Sequence, residues 1–158
     1  MISPAPVLTA EEFERVRTQA EAEYPAECCG IVMERGGPAP ERLLIPCRNI
    51  QNQLHAADPV RHPRDARTAY YIDPRDLLHI GRREAEGYRV ATIYHSHIDT
   101  GAYFSETDRR NAVVDGEPAY PDATYVVVSV MNGRLGASNA YRWEPAARDF
   151  AGVAFEAR

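Results

Sequence analysis

Residues 94–108 read YHSHIDTGAYFSETD and carry two of the five histidines in the chain. The β-rich segment 88–94 precedes the pair, so His95 and His97 are predicted to lie at the end of a strand. Side chains at i and i+2 of a strand point to the same face, with Cα atoms about 7 Å apart. The two imidazoles can therefore converge on one ion.

Asp108 follows a short loop and lies in the first turn of a helix that Ser105 is predicted to open, where its carboxylate can turn back toward the histidines. Two imidazoles and one carboxylate, with a fourth position left to water, form a catalytic zinc arrangement rather than a closed structural one. Zinc lowers the pKa of such a water to about 7. Ser-x-x-Asp also resembles a capping box, and both interpretations hold if Ser105 caps the helix while Asp108 binds metal.

Three helices are predicted from signals at their N-termini. A capping box beginning at Thr9 starts a helix over residues 10–23. Asp73, followed directly by proline, starts a second helix that ends near Gly87. Ser105 starts a third helix of about ten residues.

Short apolar runs bounded by turn residues predict the strands. They lie at 28–33, 42–45, 70–72, 88–94, 125–131 and 138–143. Residues 125–131, YVVVSVM, have no polar side chain except Ser129 and should be central in the sheet. Residues 49–68 are predicted to be irregular. Strands and helices mix in an order that favours an α/β or α+β sandwich with a mixed sheet.

The composition is that of a globular protein, with 158 residues and a net charge of −5. The length favours a single domain over residues 1–158. Without a run of Lys or Arg, no nucleic-acid partner is expected. No apolar run of the length of a membrane span and no secretory leader is visible, so no membrane partner is expected either. Three cysteines make an odd count, which favours a cytoplasmic protein without a disulfide framework.

The pattern of His95, His97, Ser105 and Asp108 resembles the signature of the JAMM (JAB/MPN) metalloproteases, also called the catalytic MPN domain. That family also has an upstream glutamate, which Glu27 in YPAECCGIVM matches, followed by a glycine three residues later. The resemblance implies a cytidine-deaminase-like mixed β-sheet sandwiched by helices. It implies that His95, His97 and Asp108 bind Zn²⁺.

By the same resemblance, Glu27 is the general acid/base, which takes a proton from the attacking water and delivers it to the leaving amine. Ser105 would stabilise the oxyanion or orient the substrate carbonyl, and a plain N-cap role remains open beside it. The sequence departs from the family at Ile98 and Phe104, where relatives commonly have proline. That loop lies against the metal site, so the departure bears on substrate preference.

Members of the family resembling this chain are short bacterial or archaeal proteins. They hydrolyse a peptide or isopeptide bond after the C-terminal Gly-Gly of ubiquitin-like sulfur-carrier proteins, so a zinc metallopeptidase of that type is expected. A non-catalytic MPN scaffold is the alternative. A zinc deaminase would need His-x-Glu and Pro-Cys-x-x-Cys motifs, and neither occurs in the sequence.

Other polar residues have simpler interpretations. Cys28 and Cys29 are predicted to be buried strand residues facing opposite sides. His55 and His62 match no metal-ligand spacing and are predicted to lie in a solvated loop. The arginines of the same region can contact an acidic partner surface or a terminal carboxylate, or remain solvated; they are Arg61, Arg64 and Arg67.

Overall fold

The computed structural model describes residues 5–157. Its helices are α1 (Ala10–Glu23), α2 (Gln51–Ala57), α3 (Pro74–Ala85) and α4 (Glu106–Asn111). Its strands are β1 (Cys29–Arg35), β2 (Glu41–Cys47), β3 (Arg89–Ile98), β4 (Val113–Val114), β5 (Glu117–Pro118), β6 (Thr124–Met131), β7 (Arg134–Glu144) and β8 (Asp149–Val153). None of the helices within this range is long and apolar enough to cross a membrane.

The fold is built on a six-stranded sheet in the order β2-β1-β3-β6-β7-β8. Strands β3 and β6 run parallel, and the other neighbouring strands run antiparallel. The predicted mixed sheet is therefore confirmed. Strand β6 lies inside the sheet and is buried from Thr124 to Val130, as its apolar sequence predicted.

Two hydrophobic clusters cover the two faces of this sheet. On one face, Val16 and Ala20 of α1 pack with Tyr94 and other strand residues. On the opposite face, Ile80 of α3 packs with a cluster that includes Phe150. The sheet is thus flanked by helices on both sides, and β3, which carries the two histidines, runs through its middle.

Four predictions of elements were wrong. Residues 70–72 form no strand, and only Ile72 makes an isolated bridge, to Asn49. Residues 49–68 contain helix α2, which has no side-chain cap and is held by tertiary contacts, such as the bond from Gln51 Nε2 to the carbonyl of Arg64. Helix α4 has six residues instead of about ten, because the β4–β5 hairpin begins directly after it. The strand predicted at 138–143 spans Arg134–Glu144, and β8 follows it with only Phe150 buried.

Gly30 stands where β1 crosses the buried side chain of Tyr94. A Cβ added to Gly30 would lie 2.1 Å from the Tyr94 hydroxyl oxygen and 2.2 Å from the carbon that bears it. The ring is held in place, because the Tyr94 hydroxyl donates to Gln19 Oε1 at 2.6 Å. Only glycine therefore fits at this position, three residues after Glu27.

Gly30→Ala is expected to lower the free energy of unfolding by about 1–3 kcal/mol, since the core must move to admit the methyl group. Chemical denaturation measures the change. Gly81→Ala is the matched control: it lies in α3, nothing lies within 4 Å of its added Cβ, and alanine favours helix. Equal stability of the Gly30→Ala variant and the unmodified protein would contradict the packing described.

Glu12 joins the start of α1 to the edge of the sheet. Its Oε1 accepts from the backbone N–H of Thr9 at 2.8 Å and from Arg42 Nη2 at 2.8 Å, and its Oε2 accepts from Arg42 Nε at 3.1 Å. Burial acts to raise the pKa of Glu12, but Arg42 and the Thr9 N–H outweigh it and hold the pKa below its ordinary value. The charged form is therefore favoured by folding.

Glu12→Gln is expected to cost about 1–2 kcal/mol of stability at pH 7, since a charge-assisted bidentate pair is lost. A carboxyl whose pKa is lowered by folding stabilises the protein above its unfolded pKa, so the difference should shrink as the pH falls below about 4.5. Denaturation at pH 7 and pH 3 measures both values. Glu14→Gln, at an exposed ion pair, should change little. A cost independent of pH would contradict this account.

Candidate metal centre and active site

Strand β3 presents His95 and His97 on one face of the sheet and Ser96 on the other. The Ser96 hydroxyl accepts from the backbone N–H of Cys28 at 2.7 Å, across the pair of strands. All three residues are buried. The alternation expected for an extended chain therefore holds at this position.

The side chain of Asp108 reaches both imidazoles from the first turn of α4. Its Oδ2 lies 3.2 Å from His95 Nε2 and 3.2 Å from His97 Nε2. One donor atom from each of the three residues lies within 4.8 Å of the other two. The structure thus brings together the three residues that the sequence predicted to bind a metal.

Hydrogen bonds fix the orientation of two of these donors. His97 Nδ1 lies 2.8 Å from the carbonyl oxygen of Gly101. A carbonyl only accepts, so Nδ1 donates to it, and this bond turns Nε2 toward Asp108. The Asp108 Oδ2 also accepts from the backbone N–H of Ser105 at 2.9 Å. Such partners behind the donor atoms are typical of metal ligands, because they hold the ring and carboxylate in place.

His95 is fully buried, and neither of its ring nitrogens forms a hydrogen bond within residues 5–157. Its ring stacks on Tyr70, with centroids 4.6 Å apart. Buried polar atoms are nearly always paired. Because Nδ1 has no partner in the described residues and Nε2 faces only Asp108 Oδ2, at 3.2 Å, the ring has room for a partner from outside the chain. Two imidazole nitrogens and one carboxylate oxygen in this arrangement fit a divalent metal ion.

Asp108 is held in its charged form. Burial acts to raise its pKa, but His95, His97 and the Ser105 N–H outweigh the burial and hold the pKa well below its ordinary value. A carboxylate that stays charged is an effective oxygen ligand over the whole neutral range.

Glu27 lies just before β1, anchored through its backbone. Its N–H donates to the carbonyl of Ala66 at 2.7 Å, and its carbonyl accepts from Asn49 Nδ2 at 2.8 Å. Its side chain is buried, and Oε1 has no hydrogen-bond partner within the described part of the chain. Burial and the nearby Asp108 carboxylate raise the pKa of Glu27 to about 9, against a smaller opposing effect of Arg64.

Glu27, His97 and Ser105 line one cavity of about 300 Å³. The Ser105 hydroxyl oxygen accepts from the backbone N–H of Asp108 at 3.0 Å, which completes a capping box at the start of α4. The N-cap interpretation of Ser105 is therefore correct. Its hydroxyl proton is not used by that bond, so a role toward a substrate oxygen remains compatible with the cap.

The loop that departs from the family pattern is fixed by the core beneath it. Phe104 is buried and packs on the rings of Tyr125, Tyr141 and Phe150. The carbonyl of Ala102 accepts from the Tyr141 hydroxyl at 2.7 Å. An aromatic anchor at Phe104 thus holds this wall of the cavity.

Three residues that support the site were not predicted from the sequence: Tyr70, Gly101 and Asn49. Tyr70 stacks on His95, the Gly101 carbonyl orients His97, and Asn49 holds the backbone of Glu27. Tyr70 and Asn49 lie far from the histidines in sequence, and the Gly101 contact uses a backbone atom. No spacing rule could have identified them.

The remaining candidate residues form no second centre in the described part of the chain. Cys28 and Cys29 face opposite sides of the sheet, as predicted, and are free thiols. His55 Nδ1 donates to the carbonyl of His62 at 2.8 Å. Neither histidine belongs to a group of potential metal ligands among residues 5–157.

Comparison with known proteins agrees with this geometry. A CysO-cysteine peptidase of Mycobacterium tuberculosis is 31% identical over 138 residues, which cover 86% of this chain and 81% of that protein. A desampylase of Haloferax volcanii is 28% identical over 132 residues, which cover 83% and 79%. The solution structure of a Desulfitobacterium hafniense protein has the same fold, with a TM-score of 0.66 at 18% identity, covering 96% of this chain and 91% of that one.

The family model that matches describes prokaryotic homologs of the JAB domain, and it aligns with residues 9–144. The match includes Glu27, both histidines, Ser105 and Asp108. It also covers the central strands and the helices on both faces of the sheet. This chain belongs to the family of prokaryotic homologs of the JAB domain.

Proposed function

We propose that the protein is a zinc metallopeptidase. It would hydrolyse a peptide or isopeptide bond after the C-terminal Gly-Gly of a ubiquitin-like sulfur-carrier protein. The observation that carries the proposal is the cavity in which a buried carboxyl group without a partner, Glu27, stands beside the group formed by His95, His97 and Asp108. The names of the relatives, a CysO-cysteine peptidase and a desampylase, support the choice of reaction and substrate.

His95, His97 and Asp108 would hold the zinc ion, with one coordination position open. When bound, zinc supplies Lewis acidity that polarises a carbonyl group and makes hydroxide available near pH 7. Asp108 brings the single negative charge of this donor set. The hydrogen bonds from His97 to Gly101 and from Ser105 to Asp108 keep the donors oriented without substrate.

Glu27 would move the proton. A pKa of about 9 keeps its carboxyl group neutral near pH 7. The negative charge of Asp108 contributes to that shift, because it disfavours a second negative charge nearby. A cation held by the donor set would act in the opposite direction, so it would lower the pKa of Glu27 and favour its carboxylate form. In that form Glu27 can accept a proton from the attacking water and pass it to the leaving amine. Ser105 would donate its free hydroxyl proton to the substrate carbonyl oxygen.

A Gly-Gly tail suits the dimensions of the cavity. Its volume of about 300 Å³ is at the lower end of ligand sites. Tyr103 and Thr100 line the wall of this cavity beside His97. Two residues without side chains can bring a carbonyl group close to the donor set where larger residues would collide with that wall. This supports a tail of two glycines before the cleaved bond.

The direct test is an incubation with ubiquitin-like carrier proteins that bear short extensions after Gly-Gly, followed by mass spectrometry of the intact carrier. The expected result is loss of mass that corresponds to cleavage after the second glycine, in the presence of zinc and not with a chelator. Carriers that bind without being cut would contradict the proposal and favour the non-catalytic scaffold.

A further inference from the structure

The cavity that contains Glu27 is lined by three arginines and, besides Glu27 itself, by one further carboxylate, that of Glu106, in a chain whose net charge is −5. Arg64 and Arg67 reach it from the segment after α2, and Arg110 reaches it from α4. Two of these arginines are far from the third in sequence, and the fold brings all three to the same cavity.

Arg67 is already paired. Its Nη2 donates to Asp99 Oδ2 at 2.9 Å, and Tyr24 donates to the same oxygen at 2.7 Å. By contrast, neither Arg64 nor Arg110 forms an ion pair with any carboxylate in the part of the chain that the structure describes. Two guanidinium groups at the mouth of the site therefore have their donors available.

A second cavity, of about 290 Å³, adjoins the first. Arg64, Thr107 and Arg110 line both cavities, so the two guanidinium groups stand where the cavities meet. The backbone at both positions is held: the Arg64 carbonyl accepts from Gln51 Nε2 at 2.8 Å, and Arg110 belongs to the capped helix α4. The backbone that carries each of the two arginines is therefore held in place by hydrogen bonds.

The chemistry of the groups defines what they would bind. Guanidinium groups match carboxylates with paired, charge-assisted hydrogen bonds. On the carrier side of the cleaved bond, two glycines offer no side chain and therefore no carboxylate. A single residue after the cleaved bond does offer one, because its α-carboxylate is separated from the cleaved nitrogen by one carbon.

We propose that Arg64 and Arg110 determine specificity by binding the free α-carboxylate of a single amino acid attached after Gly-Gly. This inference rests on the proposed function and narrows it, since the enzyme would then remove one residue at a time. Water adds to the carbonyl carbon of the second glycine, Glu27 passes a proton of that water to the leaving nitrogen, and the C–N bond breaks. The carrier keeps a C-terminal carboxylate, and the amino acid leaves as a free amine with its α-carboxylate still bound by the arginines.

The test compares carriers that end in Gly-Gly-Ala with a free carboxylate, in Gly-Gly-Ala-amide and in Gly-Gly-Asp-amide. Loss of a charged hydrogen-bond partner corresponds to about 10–100-fold in kcat/KM. The unmodified protein should therefore prefer the free acid over the alanine amide by about that factor. In Arg64→Ala and in Arg110→Ala this preference should fall to near unity.

The informative quantity is the ratio of kcat/KM on the Gly-Gly-Ala free acid to kcat/KM on the Gly-Gly-Ala-amide. The charge of Arg64 also lowers the pKa of Glu27, so Arg64→Ala changes the rates on acid and amide together, and the ratio removes that common effect. Arg82→Ala is the control: this arginine is exposed on α3, forms no ion pair in the described residues, and its variant should keep the preference.

Four outcomes would overturn the inference. A preference for the free acid that persists in both Arg64→Ala and Arg110→Ala would show that these arginines do not bind the carboxylate. Equal cleavage of acid and amide by the unmodified protein would leave the peptidase standing and remove the carboxylate site. Cleavage of the Gly-Gly-Asp-amide carrier as fast as the free acid would assign the arginines to an acidic side chain instead. Absence of cleavage on every carrier would overturn the proposed function, and the inference with it.

Discussion

Replacement of Glu27 by Gln is expected to lower kcat by about 10²–10⁴-fold while the protein still binds zinc. The glutamine has nearly the same shape, but it cannot accept and return a proton. The zinc donors are on other residues, so metal affinity should be kept. Initial rates on a carrier extended after Gly-Gly, with zinc content measured on the same sample, give both values.

Glu84→Gln provides the control, since Glu84 is exposed on α3. It should have the activity of the unmodified protein. If Glu27→Gln were fully active, another group would have to move the proton, and the assignment of Glu27 would be wrong. If the variant lost zinc as well as activity, Glu27 would have to be assigned to the metal site instead.

The same variant makes a prediction about stability that does not need a substrate. A carboxyl group whose pKa is raised by folding, here to about 9, stabilises the folded protein only at low pH. That stabilisation is lost as the pH rises from the ordinary pKa of a glutamate, about 4.3, toward the raised value. In metal-stripped protein at pH 7, Glu27→Gln should therefore raise the unfolding free energy by up to about 4 kcal/mol.

Asp108→Asn is expected to weaken zinc binding by at least about 100-fold and to abolish activity with it. The amide oxygen can still accept from the Ser105 N–H, so the start of α4 should remain folded. What is lost is the negative charge between the two imidazoles. Competition with a coloured chelator measures the zinc affinity, and circular dichroism checks the fold.

Asp122→Asn is the matched control, because Asp122 is exposed and lies outside the cavity. It should bind zinc like the unmodified protein. Unchanged zinc affinity in Asp108→Asn would show that Asp108 is not a metal ligand. The donor set would then have to include a different third residue.

Local signals explain which parts of the fold could be predicted from sequence. Helix α1 was predicted at its observed bounds because a complete capping box begins it. Strand β6 was placed inside the sheet because nearly all its side chains are apolar. Helix α2 and strand β8 lack such signals, since α2 has no side-chain cap and β8 buries only Phe150. Tertiary contacts decide both, and those cannot be read from adjacent residues.

Some features of the candidate site could likewise be predicted from the sequence, and others depend on tertiary contacts. His95 and His97 could be predicted to share a face, because strand geometry alone requires it. That Asp108 lies 3.2 Å from both rings depends on the path of the loop between them. The stacking of Tyr70 on His95 and the meeting of Arg64 and Arg110 at one cavity depend on contacts between distant segments. Sequence spacing carries no information about such contacts.

The most direct test of a zinc-dependent peptidase is a titration of zinc into metal-stripped protein, with bound zinc and the rate of cleavage after Gly-Gly measured on the same samples. The predicted result is a rate that rises in proportion to bound zinc and saturates at about one ion per chain. Full activity in stripped protein with chelator present would contradict the account. Saturation with zinc and no cleavage of any carrier would contradict it equally.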